Sequence, residues 1–217
     1  MQTLELKSAP THGAKPEDLN PAKFKQRLEA ARYLSGHKTI MELYAGAGNL
    51  SEKVYARLRP RRMVLVDDDP EALKEAKVRL ERYGLKTDYY PMKNEKFLKS
   101  NLGRYPDVTL VDFDAYGTPA RVMKSFFDLY RIRRPMVVSF TDGFPTDMRP
   151  WKLVDWNDLY SLKMAKPPSL GEICGYHDTM MKNTGSRRGF KSWRINRAFG
   201  GKSGRAVYTA YLLRPLA

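Results

Sequence analysis

Two short segments of the chain hold residues whose types and spacing can do chemistry. Residues 40–50 read Ile-Met-Glu-Leu-Tyr-Ala-Gly-Ala-Gly-Asn-Leu, an apolar strand that runs into two glycines and a helix start. Residues without a Cβ let the backbone bend sharply and let a nucleotide-like ligand approach the main chain. Residues 110–119 read Leu-Val-Asp-Phe-Asp-Ala-Tyr-Gly-Thr-Pro and end a second apolar strand. Because ligands bind at the carboxyl edge of open α/β sheets, we expect both segments at one site.

The turn formed by Gly46 and Gly48 favours S-adenosylmethionine over a dinucleotide, although both kinds of site use a Gly-x-Gly turn. The dinucleotide fingerprint has a third small residue, usually glycine, where this chain has Ser51. Glu42 precedes Gly46 by four residues, and its carboxylate can reach the ammonium of a methionine moiety there. NAD sites need no such group. An NAD-dependent reductase is the alternative, and titrations with NADH and with adenosylhomocysteine distinguish the two.

Three more polar residues are predicted to bind the same cofactor. Asp67 ends the second strand, 21 residues after Gly46, where its two oxygens can accept both ribose hydroxyls. NAD sites share that arrangement. Asn94 follows the third strand and is predicted to contact the adenine edge. Asp112, at the end of the fourth strand, completes the predicted cofactor-binding set.

The segment around Asp114 suits methyl transfer to an amine. The exocyclic amino group of a base is a poor nucleophile because its lone pair is delocalised, so a site must align it and accept hydrogen bonds from its N–H groups. Asp114 and the carbonyl of Ala115 can accept those bonds, and Tyr116 offers a face on which the base can stack. The alternative makes Asp114 a turn residue and Tyr116 a core residue. Cys174 lies in neither segment, which disfavours carbon methylation through a covalent nucleophile.

Residues 114–119, Asp-Ala-Tyr-Gly-Thr-Pro, resemble the Asp-Pro-Tyr/Phe-Gly-Ser/Thr-Pro motif of tRNA guanine N2-dimethyltransferases. Residues 139–142, Ser-Phe-Thr-Asp, resemble the Thr-x-Thr-Asp that closes the fifth strand of those enzymes. The region from about residue 39 to 144, with the final hairpin, resembles class I methyltransferases in general. The resemblance implies that Asp114 contacts the guanine amino group, that Tyr116 packs the base and that Asp142 lies near it. It also implies S-adenosylmethionine as cofactor and tRNA as partner.

Two departures from that family leave the substrate open. Ala115 replaces the proline that stiffens the turn, and the family's large C-terminal tRNA-binding domain has no match in the chain. The target is then tRNA, another RNA or DNA. A catalytically reduced module that only binds nucleic acid, and a protein methyltransferase, are further alternatives. Transfer of labelled methyl groups to bulk RNA distinguishes an enzyme from such a module.

The charge of the chain favours a polyanionic partner. Lys and Arg number 39 against 24 Asp and Glu, a net charge of +15. From residue 179 onward nine basic residues occur without an acid, interleaved with Phe190, Trp193 and Phe199 as in a base-stacking surface. The nine are Lys182, Arg187, Arg188, Lys191, Arg194, Arg197, Lys202, Arg205 and Arg214. We therefore predict RNA binding through a basic C-terminal surface, the alternative being a solvated surface that only aids solubility.

Composition predicts a soluble, cytoplasmic protein. No run of about 18 apolar residues exists to cross a membrane. Cys174 is the single cysteine and cannot form an internal disulfide, and residues 1–16 lack an apolar signal core, which together favour a reducing compartment. No His, Cys or carboxylate cluster has zinc spacing, so no metal is predicted. The oligomeric state stays open.

Alternating strands and helices must position these residues. Strands are predicted at 39–44, 63–66, 88–90, 108–112 and 136–140, and helices at 50–58, 71–83, 119–130 and 171–183. Segments 190–198 and 206–213 are predicted to form a hairpin. The pattern predicts an α/β fold with a doubly wound, Rossmann-like class I methyltransferase sheet, mostly parallel and closed by an antiparallel C-terminal β-hairpin.

Two regions are expected along the chain. Residues 1–36 are predicted to form an arm and a helix, which begins at Pro21 behind the N-cap Asn20 and packs through Phe24, Leu28 and Ala31. Residues 37–217 are predicted to form the methyltransferase domain. A substrate-side insertion is expected within it at about residues 144–170, because that stretch has no clean period.

Overall fold

A seven-stranded sheet with helices on both faces organises the molecule. The computed structural model describes residues 20–34, 36, 38–143, 169–200 and 206–216. The strands are β1 Thr39–Leu43, β2 Arg62–Asp67, β3 Thr87–Pro91, β4 Leu110–Phe113, β5 Met136–Asp142, β6 Phe190–Gly200 and β7 Ala206–Pro215. The helices are α1 Pro21–Ala31, α2 Pro70–Glu81, α3 Asn94–Ser100, α4 Ala120–Leu129 and α5 Leu170–Arg188. A π-helical turn at Ser51–Tyr55 and 3₁₀ turns at Ala56–Leu58 and Leu102–Arg104 complete the described elements.

The order of the strands across the sheet is β3-β2-β1-β4-β5-β7-β6. The first five strands pair in parallel, whereas β7 pairs antiparallel with both β5 and β6. Parallel pairs need crossover connections, and the helices between the strands provide them. The predicted doubly wound sheet with an antiparallel C-terminal hairpin is confirmed.

The two faces of the sheet bury separate apolar clusters. One cluster holds Ile40, Leu65 and Leu110 beneath α1, α2 and the π-helical turn. The other holds Met41 and Phe113 beneath α3, α4 and α5. Because successive side chains of a strand point to opposite faces, a shift of one residue moves a side chain from one cluster to the other. This alternation decides which face of the sheet each polar residue at the carboxyl edge occupies.

Local signals in the sequence set several element ends. Asn20 caps α1, with its side chain accepting the Ala22 N–H at 2.9 Å. Asp69 caps α2 in the same way, accepting the N–H of Glu71 at 2.9 Å. Gly189 ends α5 with a φ of 76°, a left-handed conformation that glycine adopts without a steric cost.

Four expectations about local structure need correction. The predicted helix at 50–58 is helical, but it is mainly a π-helical turn followed by a 3₁₀ turn. Helix α3 falls where no helix is predicted. Of the predicted packing face of α1, Ala31 is buried and Phe24 packs against the core, but Leu28 is 40% exposed. The buried face also includes Lys23, Gln26, Arg27 and Ala30. Phe190 is not part of a stacking surface, because it is 2% exposed and packs on Phe127.

The predicted N-terminal arm and most of the predicted insertion, residues 144–168, lie outside the described residues. Within the described ranges, no helix has the length and apolar character needed to cross a bilayer. In the same ranges, no group of three His, Cys, Asp or Glu side chains is arranged to hold a metal ion.

Candidate functional site

A cleft of about 270 Å³ opens at the carboxyl edge of the sheet. It lies where the chain, having run outward from β1 to β3, returns to β4 on the other side of β1. Such a switch point leaves a crevice between strand ends, and ligands of open α/β sheets bind there. The lining comes from the ends of β1, β2 and β4 and from the glycine turn: Glu42, Tyr44, Ala45, Gly46, Ala47, Asn49, Leu50, Asp67, Asp68, Asp114 and Tyr116.

The two glycines of the turn have different roles. Gly46 lines the cleft with a φ of 51°, and a Cβ built on it would meet open space. Gly48 has a φ of 73° and does not line the cleft, but a Cβ there would come within 2.8 Å of the Ala76 Cβ on α2. Gly46 therefore leaves room for a ligand, whereas Gly48 lets α2 pack against the turn.

The carboxylate of Asp67 fixes the turn and still faces the cleft. One oxygen accepts the Gly46 N–H at 2.7 Å, and the other accepts the Asp69 N–H at 3.0 Å. A carboxylate offers about four acceptor positions, so these two bonds leave capacity for two further donors. A pair of ribose hydroxyls matches that remaining capacity.

Glu42 is a buried acid at the edge of the cleft, 1% exposed. Its carboxylate accepts a hydrogen bond from the Ser51 hydroxyl. Burial raises the pKa of Glu42 well above its ordinary value, and the hydrogen bond from Ser51 opposes that rise only in part. A cation brought next to it would favour the ionised form, so the site is suited to an ammonium group.

Asp114 is held by α1 and β5. Its Oδ2 accepts from the Lys23 ammonium at 2.8 Å, and Thr141 donates its hydroxyl to Oδ1. The side chains of Lys23 and Asp114 are only 4% and 10% exposed. Burial would raise the pKa of Asp114, but the charges of Lys23 and Arg27 and these hydrogen bonds outweigh it and hold the pKa below the ordinary value. The carboxylate is therefore ionised and can only accept hydrogen bonds.

Asp112 lies behind the cleft and does not line it. Its carboxylate binds the Arg27 guanidinium side-on, with Nε at 2.8 Å and Nη2 at 2.9 Å, and also accepts from the Tyr55 hydroxyl. Arg27 and Asp112 are both fully buried. Arg27 Nη2 further donates to the Thr141 hydroxyl at 3.1 Å, which links this pair to the partners of Asp114.

The segment at residues 114–119 is in contact with the residue that follows β5. The Gly143 N–H donates to the Gly117 carbonyl at 2.7 Å, and a Cβ on Gly143 would come within 3.2 Å of the Gly117 backbone. Asp142, one residue earlier, occupies the opposite face of the sheet from Asp114 and does not line the cleft. It is fully buried against α5, where it lies 2.8 Å from His177 Nε2.

Tyr116 and Asn94 are the remaining predicted site residues. Tyr116 lines the cleft with its side chain 66% exposed. Asn94 begins α3, is 5% exposed and does not line the cleft. Its Oδ1 atom is buried without a hydrogen-bond partner among the described residues. Buried acceptors are rarely left unpaired, and this atom can accept a hydrogen bond.

Five of the nine predicted site residues line one cleft: Glu42, Gly46, Asp67, Asp114 and Tyr116. Sequence reasoning missed Lys23 and Arg27, which α1 inserts beneath the site. The spacing does carry a signal for them. Asp112 on β4 and Asp114, just after its end, are two residues apart and face the same side of the sheet. Lys23 and Arg27 are four residues apart and face one side of a helix. Two buried acids need cations at matching spacing.

The matches to known proteins are partial. No protein-family model matches the chain. An uncharacterized RNA methyltransferase from Listeria monocytogenes is 30% identical over 107 residues, which cover 48% of this chain and 23% of the relative. The match thus spans about a quarter of the length of that relative.

Solved structures match along nearly the whole chain. Trm1 from Pyrococcus horikoshii, solved with S-adenosyl-L-methionine, has a TM-score of 0.63 at 12% identity, over 90% of this chain and 55% of that one. An rRNA methylase from Streptococcus thermophilus has a TM-score of 0.52 at 13% identity, over 92% of this chain and 99% of that one. The chain has the class I methyltransferase fold. In this methyltransferase fold the cleft occupies the switch point between β1 and β4, which agrees with the predicted fold class.

Proposed function

We propose that the chain transfers a methyl group from S-adenosylmethionine to a base amino group of RNA. The observation that carries the proposal is the composition of the cleft. One part holds Glu42, Gly46 and Asp67, and the other holds Asp114 and Tyr116. The first set suits a cofactor with an ammonium and a ribose, and the second suits a flat base that carries N–H donors.

The donors and acceptors present fit the cofactor. S-adenosylmethionine, when bound, supplies a methyl group activated by a positively charged sulfur. Asp67 keeps two acceptor positions for ribose hydroxyls, and Glu42 provides a buried acid for the methionine ammonium. Asn94 does not line the cleft, so its buried Oδ1 reaches the adenine of a ligand bound there only if its side chain or α3 moves. Gly46 leaves the main chain open to the ligand.

Asp114 and Tyr116 act on the substrate. The ionised Asp114 accepts a hydrogen bond from an amino N–H and thereby orients the nitrogen lone pair. Because Lys23 holds its pKa low, Asp114 is a better hydrogen-bond acceptor than base, and the proton lost from the methylated nitrogen passes to water. Tyr116 presents an exposed ring on which an extruded base can stack.

Three further predicted residues, Asp112, Asp142 and Gly48, do not line the cleft but hold the elements that form it. Asp112 anchors α1 through Arg27 and so sets the position of Lys23. Asp142 fixes the end of β5 against α5, next to the contact between Gly143 and Gly117. Gly48 allows α2 to pack against the turn.

Guanine N2 of tRNA is the target we propose. Support comes from residues 114–119 and 139–142, which resemble the tRNA guanine N2-dimethyltransferase motifs and lie in contact here. The structural likeness to Trm1 agrees with that choice. The net charge of +15 suits a tRNA partner.

The test separates cofactor binding from transfer. Asp114→Asn keeps the size of the side chain but offers an N–H where the substrate also presents one. We expect transfer of labelled methyl groups to bulk tRNA to fall by about 100-fold, because the amine is misaligned. Adenosylhomocysteine affinity, measured by calorimetry, stays within about twofold.

Asp128→Asn, an exposed carboxylate on α4, is the matched control and leaves both quantities unchanged. An equal loss of transfer and cofactor binding in Asp114→Asn contradicts the role assigned to Asp114. If the unmodified protein binds tRNA but transfers no label, it is a binding module and not an enzyme.

A further inference from the structure

The edge of the sheet opposite the cleft carries exposed cations and aromatic rings. We call it the amino-edge surface and define it by Arg32, Tyr33, Arg133, Arg134, Trp193 and Arg214. All six side chains are exposed, with Tyr33 at 56% and Trp193 at 47%. They come from four places in the sequence: the end of α1, the segment before β5, the start of β6 and the end of β7.

The fold brings these residues together around a hollow of about 290 Å³. Tyr33 and Arg134 line it, together with Leu212 of β7. Trp193 pairs with Leu212 in the β6–β7 register, so its side chain lies beside the hollow on the same face. The Arg214 guanidinium lies 5.7 Å from the centre of the Trp193 ring.

The arginines of this surface are not held in ion pairs with carboxylates of the described residues. Within the described part of the chain, no ion pair joins Arg32, Arg133, Arg134 or Arg214 to a carboxylate. Helix dipoles favour cations in the last turn of a helix, but α4 ends at Leu129, before Arg133 and Arg134. The helix therefore does not explain why two adjacent arginines precede Pro135.

We propose that the amino-edge surface binds RNA at a site separate from the cleft. The arginines hold backbone phosphates, and an unstacked base packs against Tyr33 or Trp193 over the hollow. Arginine on an aromatic ring and exposed aromatics between cations are the chemistry by which proteins hold single-stranded nucleic acid. Two residues of the predicted basic C-terminal surface, Lys191 and Arg214, lie at this edge. They are opposite each other in the register of β6 on β7.

The position of the surface sets a minimum size for an RNA that uses both sites. The seven residues of β5 separate Pro135 at the amino edge from Asp142 at the cleft edge. At about 3.3 Å per residue the two edges are roughly 20 Å apart. An RNA that uses both sites must therefore extend over that distance along the surface of the protein. The inference concerns binding alone and does not rest on methyl transfer.

The first experiment measures RNA binding without cofactor. The labelled RNA is a hairpin with a twelve-base-pair stem and a single-stranded tail, titrated with the full chain by fluorescence anisotropy at several salt concentrations. We expect Arg133→Glu with Arg134→Glu to weaken binding by about tenfold or more and to reduce the salt slope by about 2.

Lys74→Glu with Lys77→Glu on α2 makes the same change in net charge away from both edges, and we expect less than a twofold effect. Equal losses in the two double variants, or no loss in either, would overturn the proposal. Arg133→Gln with Arg134→Gln repeats the test without introducing acids, and adenosylhomocysteine affinity checks that each variant keeps an intact cleft.

The second experiment tests the aromatic residues. Tyr33→Ala and Trp193→Ala should each weaken binding of the tailed hairpin by about tenfold and leave a blunt duplex nearly unaffected, because only an unpaired base can stack. Tyr33→Phe should bind as the unmodified protein does. Losses of the same size on blunt and tailed RNA contradict base stacking, and binding to anionic lipid vesicles that equals binding to RNA contradicts an RNA site.

Discussion

Among the described residues, the two edges of the sheet differ in whether their charged side chains are buried and paired or exposed and unpaired. At the carboxyl edge, two acids are buried and each is paired with a buried cation, Asp112 with Arg27 and Asp114 with Lys23. At the amino edge, Arg133 and Arg134 are exposed and held by no carboxylate of the described chain. A buried charge costs several kcal/mol unless it is paired, so its geometry is fixed. Exposed cations remain hydrated, so they reduce the stability of the fold little, and they attract polyanions over a distance.

The difference suggests a division of work. A fixed carboxylate can align a reacting amine to within a fraction of an ångström, which exposed and mobile side chains cannot do. A field of exposed arginines can hold a long polyanion without a unique geometry. Substitutions at the two edges should therefore affect different quantities.

Removal of the most buried cation should have the largest effect. Arg27→Met leaves the Asp112 carboxylate fully buried without its charge partner. We expect the free energy of unfolding to fall by about 3–5 kcal/mol, measured by urea denaturation. Arg61→Met, which breaks an exposed pair with Asp107, is the control and should cost about 1 kcal/mol or less. Similar losses in the two variants contradict the distinction between buried and exposed pairs.

The ion pair between Lys23 and Asp114 should make the free energy of unfolding depend on pH. In the native protein the pKa of Asp114 lies below its ordinary value, so its contribution is present above about pH 3.9 and is lost as pH falls through the native pKa. Lys23→Met removes the charge and one of the hydrogen bonds that lower this pKa, so the pKa of Asp114 should rise and its protonation should relieve the buried charge. We expect the destabilisation by Lys23→Met to be largest at pH 7 and to shrink toward pH 4.

Denaturation curves between pH 4 and 7 measure this trend. Lys124→Met, at an exposed pair on α4, is the control and should differ from the unmodified protein by about 0.5 kcal/mol or less throughout. A destabilisation by Lys23→Met that grows toward pH 4 would contradict the assigned pairing.

The two glycines of the turn should separate stability from ligand binding. Gly48→Ala brings a Cβ within 2.8 Å of the Ala76 Cβ and requires alanine to adopt the left-handed φ of this position. We therefore expect the free energy of unfolding to fall by roughly 2 kcal/mol or more. Ala76→Gly in the same chain should restore part of it. Gly46→Ala should cost about 1 kcal/mol of strain and weaken adenosylhomocysteine binding more than Gly48→Ala does. A larger loss of adenosylhomocysteine binding in Gly48→Ala than in Gly46→Ala would contradict a ligand bound against Gly46.

The smallest effect is expected from the exposed arginines. Arg133→Gln with Arg134→Gln should change the unfolding free energy by about 0.5 kcal/mol or less, since neither side chain is buried or paired with a carboxylate of the described residues. Thermal melting of the double variant measures this. A loss as large as that of Arg27→Met would mean that the amino edge is structural.

The sheet could be predicted from the sequence because its signals are local. Apolar runs bounded by Gly, Pro and Asp marked the strands, and Asn20 with Pro21 marked the start of α1. The helix α3 could not be found in this way, because its seven residues bury only three side chains, those of Asn94, Phe97 and Leu98. Short helices depend on tertiary packing more than on their own periodicity.

The cleft was predictable where a motif stands on consecutive residues, as at Gly46 and Asp114. Lys23 and Arg27 escaped because a search for apolar periodicity selects Phe24 and Leu28 as the packing face of α1, whereas the buried side chains include the two cations. The amino-edge surface escaped for a different reason. Its residues are distant in sequence, and only the register of β6 on β7 and the end of α1 bring them together.

Mass spectrometry of nucleosides from tRNA incubated with the protein and S-adenosylmethionine tests the proposed function most directly. We expect a methyl group on an exocyclic nitrogen, as N2-methylguanosine or N2,N2-dimethylguanosine, because the proposed role of Asp114 is to accept an amino N–H beside Tyr116. A methyl group found on a base carbon or a ribose oxygen, or no gain of methyl groups in tRNA, would contradict it.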